Sequence, residues 1–467
     1  MQGDGAHYGP AALERTPVPA PGRPWGLALG LLAGMGVLFF SSYGLANWLA
    51  SQRADVPYFH FGWERGIPFV PWTIVPYWSI DLLYGISFFL WPTRAGLLTH
   101  VKRLLAAQLV SVACFIAFPL RFAFARPEAD GLPGRLFTLL GGFDKPFNQA
   151  PSLHISLLVI LWVAYATHLR GGWRWLLHLW FALIGVSVLT TYQHHFIDLP
   201  TGWLVGWLCV FAFPPVPAGA AAGTPDVGLA RRYGLAAGLL VLASAAALSV
   251  SVVAGFLLAW AAIALGCVAM IYRAGRPGAF QKRADGTLPM SAWWVLWPYV
   301  LGAFANSRWW TRRQPAVSRL ADGVWIGRLP GAAELRESGA DAVLDLSAEL
   351  PRLVTGVSYR CIPVLDLTVP SQAQLHAGVE TIGRWRQEGR TVLVSCALGY
   401  SRSALVAAAW LGAHAQLRDP QQVLARLRQS RPAVVLGPPS VAALTRFLQA
   451  AAGGQQVPDS EGAAHAD

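Results

Sequence analysis

Two groups of residues in this chain have types and spacings suited to nucleophilic chemistry. The first is Cys396-Ala397-Leu398-Gly399-Tyr400-Ser401-Arg402-Ser403, which follows the apolar run Val392-Leu393-Val394-Ser395. An apolar strand entering a short loop that opens a helix wraps backbone N–H groups around one tetrahedral anion. The helix N-terminus adds partial positive charge beneath it. Ala397, Leu398, Gly399, Tyr400 and Ser401 supply the loop amides, and Arg402 offers a fork for two anionic oxygens. The same field favours a reactive thiolate at Cys396. The second group is Asn148-Gln-Ala-Pro-Ser152-Leu153-His154 together with His194-His195-Phe-Ile-Asp198. His154 stands near the start of one apolar run. His194 and Asp198 stand near the start of another, four positions apart and so on one helical face. A histidine held by a carboxylate is a competent base or nucleophile.

The first pattern resembles the signature loop of cysteine-dependent tyrosine and dual-specificity phosphatases, C-x5-R-S/T, over roughly residues 316–450. The resemblance implies that Cys396 attacks phosphorus, that Arg402 stabilises the transferring phosphoryl group and that Ser403 hydrogen-bonds the departing thiolate. It also implies a general acid for the leaving alcohol. Asp366, after the strand run Tyr359–Leu365 and about 30 residues before Cys396, takes that place. Asp345 is the second choice and reads as core support within its apolar run. Ser395 stands where the family usually carries His, and Cys361 reads as core.

The second pattern resembles the type 2 phosphatidic acid phosphatase superfamily, with its P-S-G-H and S-R-x5-H-x3-D motifs, over roughly 70–214. The resemblance implies that His194 attacks phosphorus, Asp198 orients it and His154 protonates the leaving group, with no metal and no cofactor. The sequence departs from the family at Leu153 in place of Gly and at Val188 in place of Arg beside Ser187. Arg126-Pro127 lacks its upstream Lys, whose position Pro119 occupies. Arg121, Arg126 and Lys145 are the cations available to bind phosphate instead. Without the Arg the pattern is closer to the branch containing sphingomyelin and inositol-phosphorylceramide synthases. That branch moves a phospho-headgroup between lipids.

The elements that must position these residues follow from composition. Of 467 residues 54% are hydrophobic and only 13% charged, against about a quarter charged in a soluble domain. Apolar runs at 25–50, 69–92, 103–120, 154–169, 174–192, 199–214, 233–249 and 251–272 read as candidate spanning helices, six to nine in all, of which the first six are the core. Residues 291–310, aromatic at both ends with Pro298 between, read as an interfacial helix. From about residue 316, short β-rich runs alternate with helical patterns. Strands are expected at Gly323–Ile326, Ala342–Leu346, Tyr359–Val364 and Val392–Ser395, and helices at 331–338, 372–388, 402–416, 419–429 and 438–450. Leu375, Val379, Ile382 and Trp385 mark one buried helical face.

The expected fold is therefore a multi-pass α-helical membrane domain, a six-helix core plus an extra helix pair, followed by a soluble α/β cysteine-phosphatase domain. Its segments are a disordered start (1–24), the six-helix domain (25–214), a linker (215–232), the helix pair with the interfacial helix (233–310), the α/β domain (316–452) and a loose tail (453–467). The net charge of +12 is scattered between apolar runs, a pattern of loop topology that excludes nucleic acid as a partner. Arg94, Lys102 and Arg103; Arg170 and Arg174; Arg231 and Arg232; and Arg273, Arg276, Lys282 and Arg283 form four clusters on one side of the bilayer. The α/β domain is expected on that cytoplasmic side of a bacterial inner or plasma membrane, and the histidine site on the other. Five cysteines without regular spacing exclude a disulfide scaffold. The expected activity is phosphate-ester hydrolysis at two modules, on phospholipid or lipid-phosphate substrates. A headgroup transferase fused to a cysteine phosphatase, and a membrane-anchored protein phosphatase acting on phosphoproteins, are the alternatives.

Overall fold

The computed structural model describes residues 22–215 and 223–453. The expected disordered start, part of the linker and the tail fall almost entirely outside them. The chain forms two compact units that divide between Cys209 and Val210.

The first unit is helical: α1 (Trp25–Ser51), α2 (Ile74–Ser87), α3 (Arg94–Ala117), α4 (Gly131–Gly141), α5 (Leu153–His168), α6 (Gly172–Thr190) and α7, which starts at Asp198 and ends at Ala212. α1 packs on α3, and α3 and α6 pack on α5, while α2 lies against α5 and α6. α5 is apolar all round because most of it is buried within the unit. α7 reaches α5 closely because Gly202 and Gly206 are one turn apart. A Cβ at Gly202 would stand 2.4 Å from the Ser152 carbonyl oxygen, and one at Gly206 would stand 2.7 Å from Val159. Small residues at this spacing let helix backbones approach, and Ser156 Oγ donates to the Gly202 carbonyl at 2.9 Å.

Several expected boundaries move. The run 69–92 holds a helix only over Ile74–Ser87, preceded by a 3-10 turn at Pro71–Thr73. α3 begins at Arg94 because Thr93 Oγ1 caps it, accepting from Gly96 N at 3.2 Å. Lys102 and Arg103 are therefore inside a helix instead of a loop, and Arg103 is buried. Arg174 likewise lies inside α6, and Arg231 and Arg232 inside α8 (Val227–Leu248). The loop 121–150 contains the amphipathic helix α4, which the sequence reading left out. Six to nine spans were expected. Among the described residues five helices are long and apolar enough to cross a bilayer: α1, α3, α6, α8 and α9 (Val252–Ala274). α2, α5 and α7 have 14, 16 and 15 residues. At ~1.5 Å per residue these fall short of a ~30 Å hydrocarbon core.

The second unit contains α8, α9, α10 (Met290–Thr311) and the α/β domain. α8 opens within the expected linker, where Asp226 accepts from Leu229 N at 2.8 Å. α8 and α9 pack along their length, and α10 packs on α9. α10 keeps Pro298 inside it and buries Val295, Leu296, Tyr299 and Val300. It is not one of the five long apolar helices.

The sheet has β1 (Val317–Ala321), β2 (Val324–Arg328), β3 (Ala342–Ser347), β4 (Ser358–Val364) and β5 (Val392–Cys396) in the order β1-β2-β5-β3-β4. β1 pairs antiparallel with β2, and the other pairings are parallel. β1 was not expected, since its run VSRLA mixes polar and apolar residues as an edge strand does. Central β5 is buried throughout and so reads as an unbroken apolar run. The helices α11 (Ala332–Ser338), α12 (Gln372–Gln387), α13 (Arg402–His414), α14 (Pro420–Ser430) and α15 (Pro438–Gly453) lie within a residue or two of their expected starts, and within three of their ends. On α12, Leu375, Ile382 and Trp385 are buried as expected, and Val379 packs partly buried against the same core. The sheet order brings the carboxyl ends of β5, β3 and β4 side by side, the place where parallel α/β sheets bind ligands.

Candidate functional site

Cys396 ends β5 and Arg402 begins α13, so residues 397–401 form the loop between them. Cys396 is buried, and its Sγ accepts from Gly399 N and from Ser403 Oγ, both at 3.2 Å. Gly399 is fixed by conformation and by space. Its φ is +76°, and a Cβ there would stand 2.4 Å from the Gly327 carbonyl carbon on β2. Ser395 is buried, with its Oγ 3.4 Å from the Leu344 carbonyl oxygen.

Arg402 is buried in a carboxylate pair. Its Nη1 and Nη2 donate to the two oxygens of Glu349 at 2.8 Å each, and Nη2 reaches Asp366 Oδ1 at 2.9 Å. Nη1 also donates to the Val364 carbonyl at 2.9 Å. Burial works against the guanidinium charge, and the Asp366 and Glu349 carboxylates outweigh it, raising the pKa above the ordinary arginine value. The fork expected to hold phosphate is thus held by Glu349, while Nε is buried without a protein partner. Asp366 follows β4 with its side chain 30% exposed, the most accessible member of the group. Asp345 lies in the core. Its carboxylate meets Lys282 Nζ, Tyr359 OH at 2.6 Å and Ser347 Oγ at 2.7 Å. Its role is structural, and Lys282 is a buried partner instead of a loop cation. Cys361 is buried, and burial pushes its thiol up to about 12.

Residues 324–449 match the dual specificity phosphatase catalytic domain. The chain is on that ground a phosphatase, a phosphoric monoester hydrolase. Similar solved structures include PTPMT1 in complex with PI(5)P (20% identity, 30% of this chain and 99% of that one, TM-score 0.28). Tk-PTP in the active form is another (29% identity, 29% and 97%, TM-score 0.27), as is human DUSP28 (22% identity, 29% and 95%, TM-score 0.28). No curated protein matches the chain.

The phosphatase domain uses residues that the sequence reading did not single out. Glu349 lies just past β3 and shares Arg402 with Asp366. Arg431 is buried and holds the loop after Cys396 from the other side, with Nε donating to the Gly399 carbonyl at 2.9 Å. Neither has a local motif. Nothing near either residue in the sequence marks it.

In the helical unit, His194 Nδ1 is 3.2 Å from Asp198 Oδ2, and its Nε2 is 3.1 Å from Ser152 Oγ. Ser152 also caps α5, accepting from Ile155 N at 3.2 Å. The four-residue spacing works without a helix under His194. α7 starts only at Asp198, and a turn closes the pair, with Asp198 N donating to the His195 carbonyl at 3.1 Å. Val188, where the resembled family has Arg, is buried and its carbonyl accepts from His194 N at 3.1 Å. His195 turns elsewhere, with Nδ1 2.9 Å from Glu64 Oε2 and Nε2 accepting from Ala123 N at 3.0 Å. Glu64 is another buried member that no motif pointed to.

His154 and His194 line one cavity with Tyr43, Tyr77, Asp81, Asp144 and Asn148. His154 stacks on Tyr77 with ring centroids 4.2 Å apart. The substitute phosphate cations do not line this cavity. Arg121 donates to the Val56 carbonyl at 3.0 Å and lies over the Tyr58 ring. Arg126 is 3.4 Å from the Tyr192 carbonyl oxygen and lies over Phe137. Lys145 lines a neighbouring cavity with Phe40, Asn47 and Trp48. Arg121 and Arg126 are engaged by a carbonyl and a ring from other segments of the chain, which the charge count could not reveal.

Proposed function

We propose that this chain is an integral membrane phosphatase of phospholipid metabolism with two phosphoryl-transfer modules. In the phosphatase domain, the Cys396 thiolate attacks phosphorus and the P–O bond to the leaving alcohol breaks. Asp366 gives that alcohol its proton, and the loop amides of 397–401 hold the phosphoryl oxygens together with Arg402, whose Nε is the nitrogen not taken by a protein partner. Water then cleaves the phosphocysteine, and Ser403 steadies the released thiolate. The observation that carries this reading is the thiol at 3.2 Å from both Gly399 N and Ser403 Oγ, beside an Arg402 held charged by Glu349 and Asp366. The test is Cys396→Ser in the full-length protein. Vanadate-sensitive hydrolysis of an aryl phosphate should vanish, and its survival would overturn the cysteine mechanism.

The second module is the Ser152–His194–Asp198 chain, with His154 across the cavity. His194 is the nucleophile and His154 the acid for the leaving group. A phosphate monoester carries two negative charges, whereas a phosphodiester headgroup carries one. The cavity lining holds Asp81 and Asp144 and no Lys or Arg. Two carboxylates repel a dianion more than a monoanion. This favours a phosphodiester lipid, and hence headgroup transfer or release, over a monoester at that site.

A further inference from the structure

The phosphatase domain begins, by composition, at about residue 316, yet both of its catalytic loops bond to helices that precede it. Tyr272, near the end of α9, is buried, and its hydroxyl donates to the main-chain carbonyl of Asp366 at 3.2 Å. Ser307 on α10 donates to the carbonyl of Ala397, the first residue after the nucleophile, at 2.5 Å. Tyr400 of the same loop returns a bond to α10, donating to the Trp310 carbonyl at 3.2 Å. Arg308 on α10 donates to the Leu329 carbonyl at 3.1 Å, and Arg328 at the end of β2 donates to Thr311 Oγ1 at 2.8 Å. Arg328 is the register partner of Cys396 in the sheet. The acid loop thus hangs from α9, and the phosphate loop from α10.

The acid loop needs such an anchor. Leu367, next to Asp366, has φ +59° and is 72% exposed. A non-glycine residue in the left-handed region is strained, and an exposed side chain gives it little packing to hold that conformation. The Tyr272 bond fixes the carbonyl immediately before it. Tyr272 itself is held by Tyr233 of α8, ring centroids 5.3 Å apart, and Tyr233 by Tyr299 of α10 at 5.9 Å.

We propose that Tyr272 and Ser307 are positioning residues of the cysteine site. Tyr272 sets the general acid, Ser307 sets the phosphate loop, and the apolar helices α9 and α10 are part of the catalytic machinery. This rests on the reading of Cys396 as nucleophile and Asp366 as acid. Neither residue touches substrate in that reading, and each acts through one backbone carbonyl.

The two latches have different kinetic signatures. A misplaced acid slows only leaving groups that need a proton. A displaced phosphate loop slows all substrates alike. The experiment uses the purified full-length protein with phenyl phosphate, a poor leaving group, and p-nitrophenyl phosphate, a good one, and reads kcat/KM. Tyr272→Phe removes one hydroxyl and should lower kcat/KM for phenyl phosphate about fivefold, equal to ~1 kcal/mol. For p-nitrophenyl phosphate the change should stay under about twofold. The alkaline fall of kcat/KM with phenyl phosphate should flatten in the same variant. Ser307→Ala should lower kcat/KM for both substrates by one common factor and weaken vanadate inhibition in proportion. Equal effects of Tyr272→Phe on the two substrates, or none on either, would overturn the assignment of Tyr272. A leaving-group-dependent Ser307→Ala, or one with full activity, would overturn that of Ser307. Cys396→Ser separates the levels. Full hydrolysis in that variant defeats the underlying mechanism, whereas its loss with a silent Tyr272→Phe defeats only the latch.

Discussion

Lys282→Met should destabilise the phosphatase domain more than a substitution outside its compositional boundary has any obvious reason to. Lys282 and Asp345 side chains are both fully buried. The ammonium meets the Asp345 carboxylate, the Ser347 carbonyl at 2.8 Å and Ser347 Oγ at 3.1 Å, so its three donors are all used. Burial pulls the lysine pKa down, and Asp345 more than reverses this. A raised folded-state pKa contributes stability that is complete below the ordinary lysine pKa and lost only above it. Lysine titration therefore adds no pH dependence to the stability of the unmutated protein from about pH 6 to 8. Removing one partner strands the other charge in the core, which costs ~3–5 kcal/mol, a large share of a typical 5–15 kcal/mol domain. With a urea slope of ~1–3 kcal/mol per molar, the midpoint should fall by roughly 2 M.

The assay is pulse alkylation of the free cysteines in full-length protein across a urea series, read by mass spectrometry at each site. Cys361, buried in this domain, reports the transition, and Cys114 and Cys209 in the helical unit serve as internal controls. Removing both charges in Lys282→Met/Asp345→Leu should recover part of the loss, because a well-packed apolar pair often replaces a buried ion pair without penalty. A Cys361 midpoint unchanged by Lys282→Met would refute the reasoning. So would a double variant less stable than the single one.

Glu349→Gln should lower kcat/KM of the cysteine site roughly tenfold to a hundredfold, since one charge-assisted bond to Arg402 is worth ~1.5–3 kcal/mol; stopped assays on an aryl phosphate measure it. Gly399→Ala places a Cβ against the Gly327 carbonyl at a φ of +76°. It should cost more than tenfold in activity and also lower the Cys361 labelling midpoint, because the clash is with the β2 backbone. His194→Ala should abolish release of diacylglycerol from phosphodiester lipids in vesicles, measured in a Cys396→Ser background. Unmutated His194 should retain that release in EDTA, and metal dependence would argue against the phosphohistidine route.

The α/β domain was legible because its signals are local. Central β5 is an unbroken apolar run, α12 carries its 3–4 spacing, and the loop from Cys396 to Arg402 lies wholly within one strand–turn–helix. Asp366 was legible by its distance from Cys396. Glu349 and Arg431 were not, because each acts on the loop across the fold and nothing near it in sequence marks it. β1 was missed for the opposite reason, as an edge strand with Arg319 exposed has no apolar pattern to read. In the helical unit the His194–Asp198 spacing was informative although no helix lies under His194. The boundaries failed where charge was used to place them. Thr93 after Pro92 was the better signal for the start of α3, and Lys102 and Arg103 misled because a buried helix can carry cations. α4 was lost because a loop with four cations was read for its charge alone.

Composition and energetics place the start of the phosphatase domain differently. Composition changes at about residue 316 because from there the surface becomes ordinarily polar. The domain's bonds begin earlier, at Tyr272. Of the four cations at and beyond the end of α9, Arg273 (in its last turn), Arg276 and Arg283 are exposed, as topology markers should be, and Lys282 is sealed inside the α/β core. Just beyond it, the Ala284 carbonyl accepts from Cys361 N at 2.8 Å and the Gly286 carbonyl from Arg352 N at 2.8 Å, so the segment is stitched to β4 and to the loop before it. A fragment cut at 316 would lose Lys282, both latches and these backbone bonds together. Its Asp345 would be a buried charge without a partner, and its acid loop would have no anchor for the carbonyl of Asp366. Weak activity in such a fragment would therefore say little about the enzyme, and a fragment beginning at 223 is the smaller piece that keeps the site whole. The same bonds run in the other direction. Any displacement of α9 reaches Asp366 through one hydroxyl, and any displacement of α10 reaches the nucleophile's neighbour through another, so the apolar helices and the chemistry are mechanically continuous.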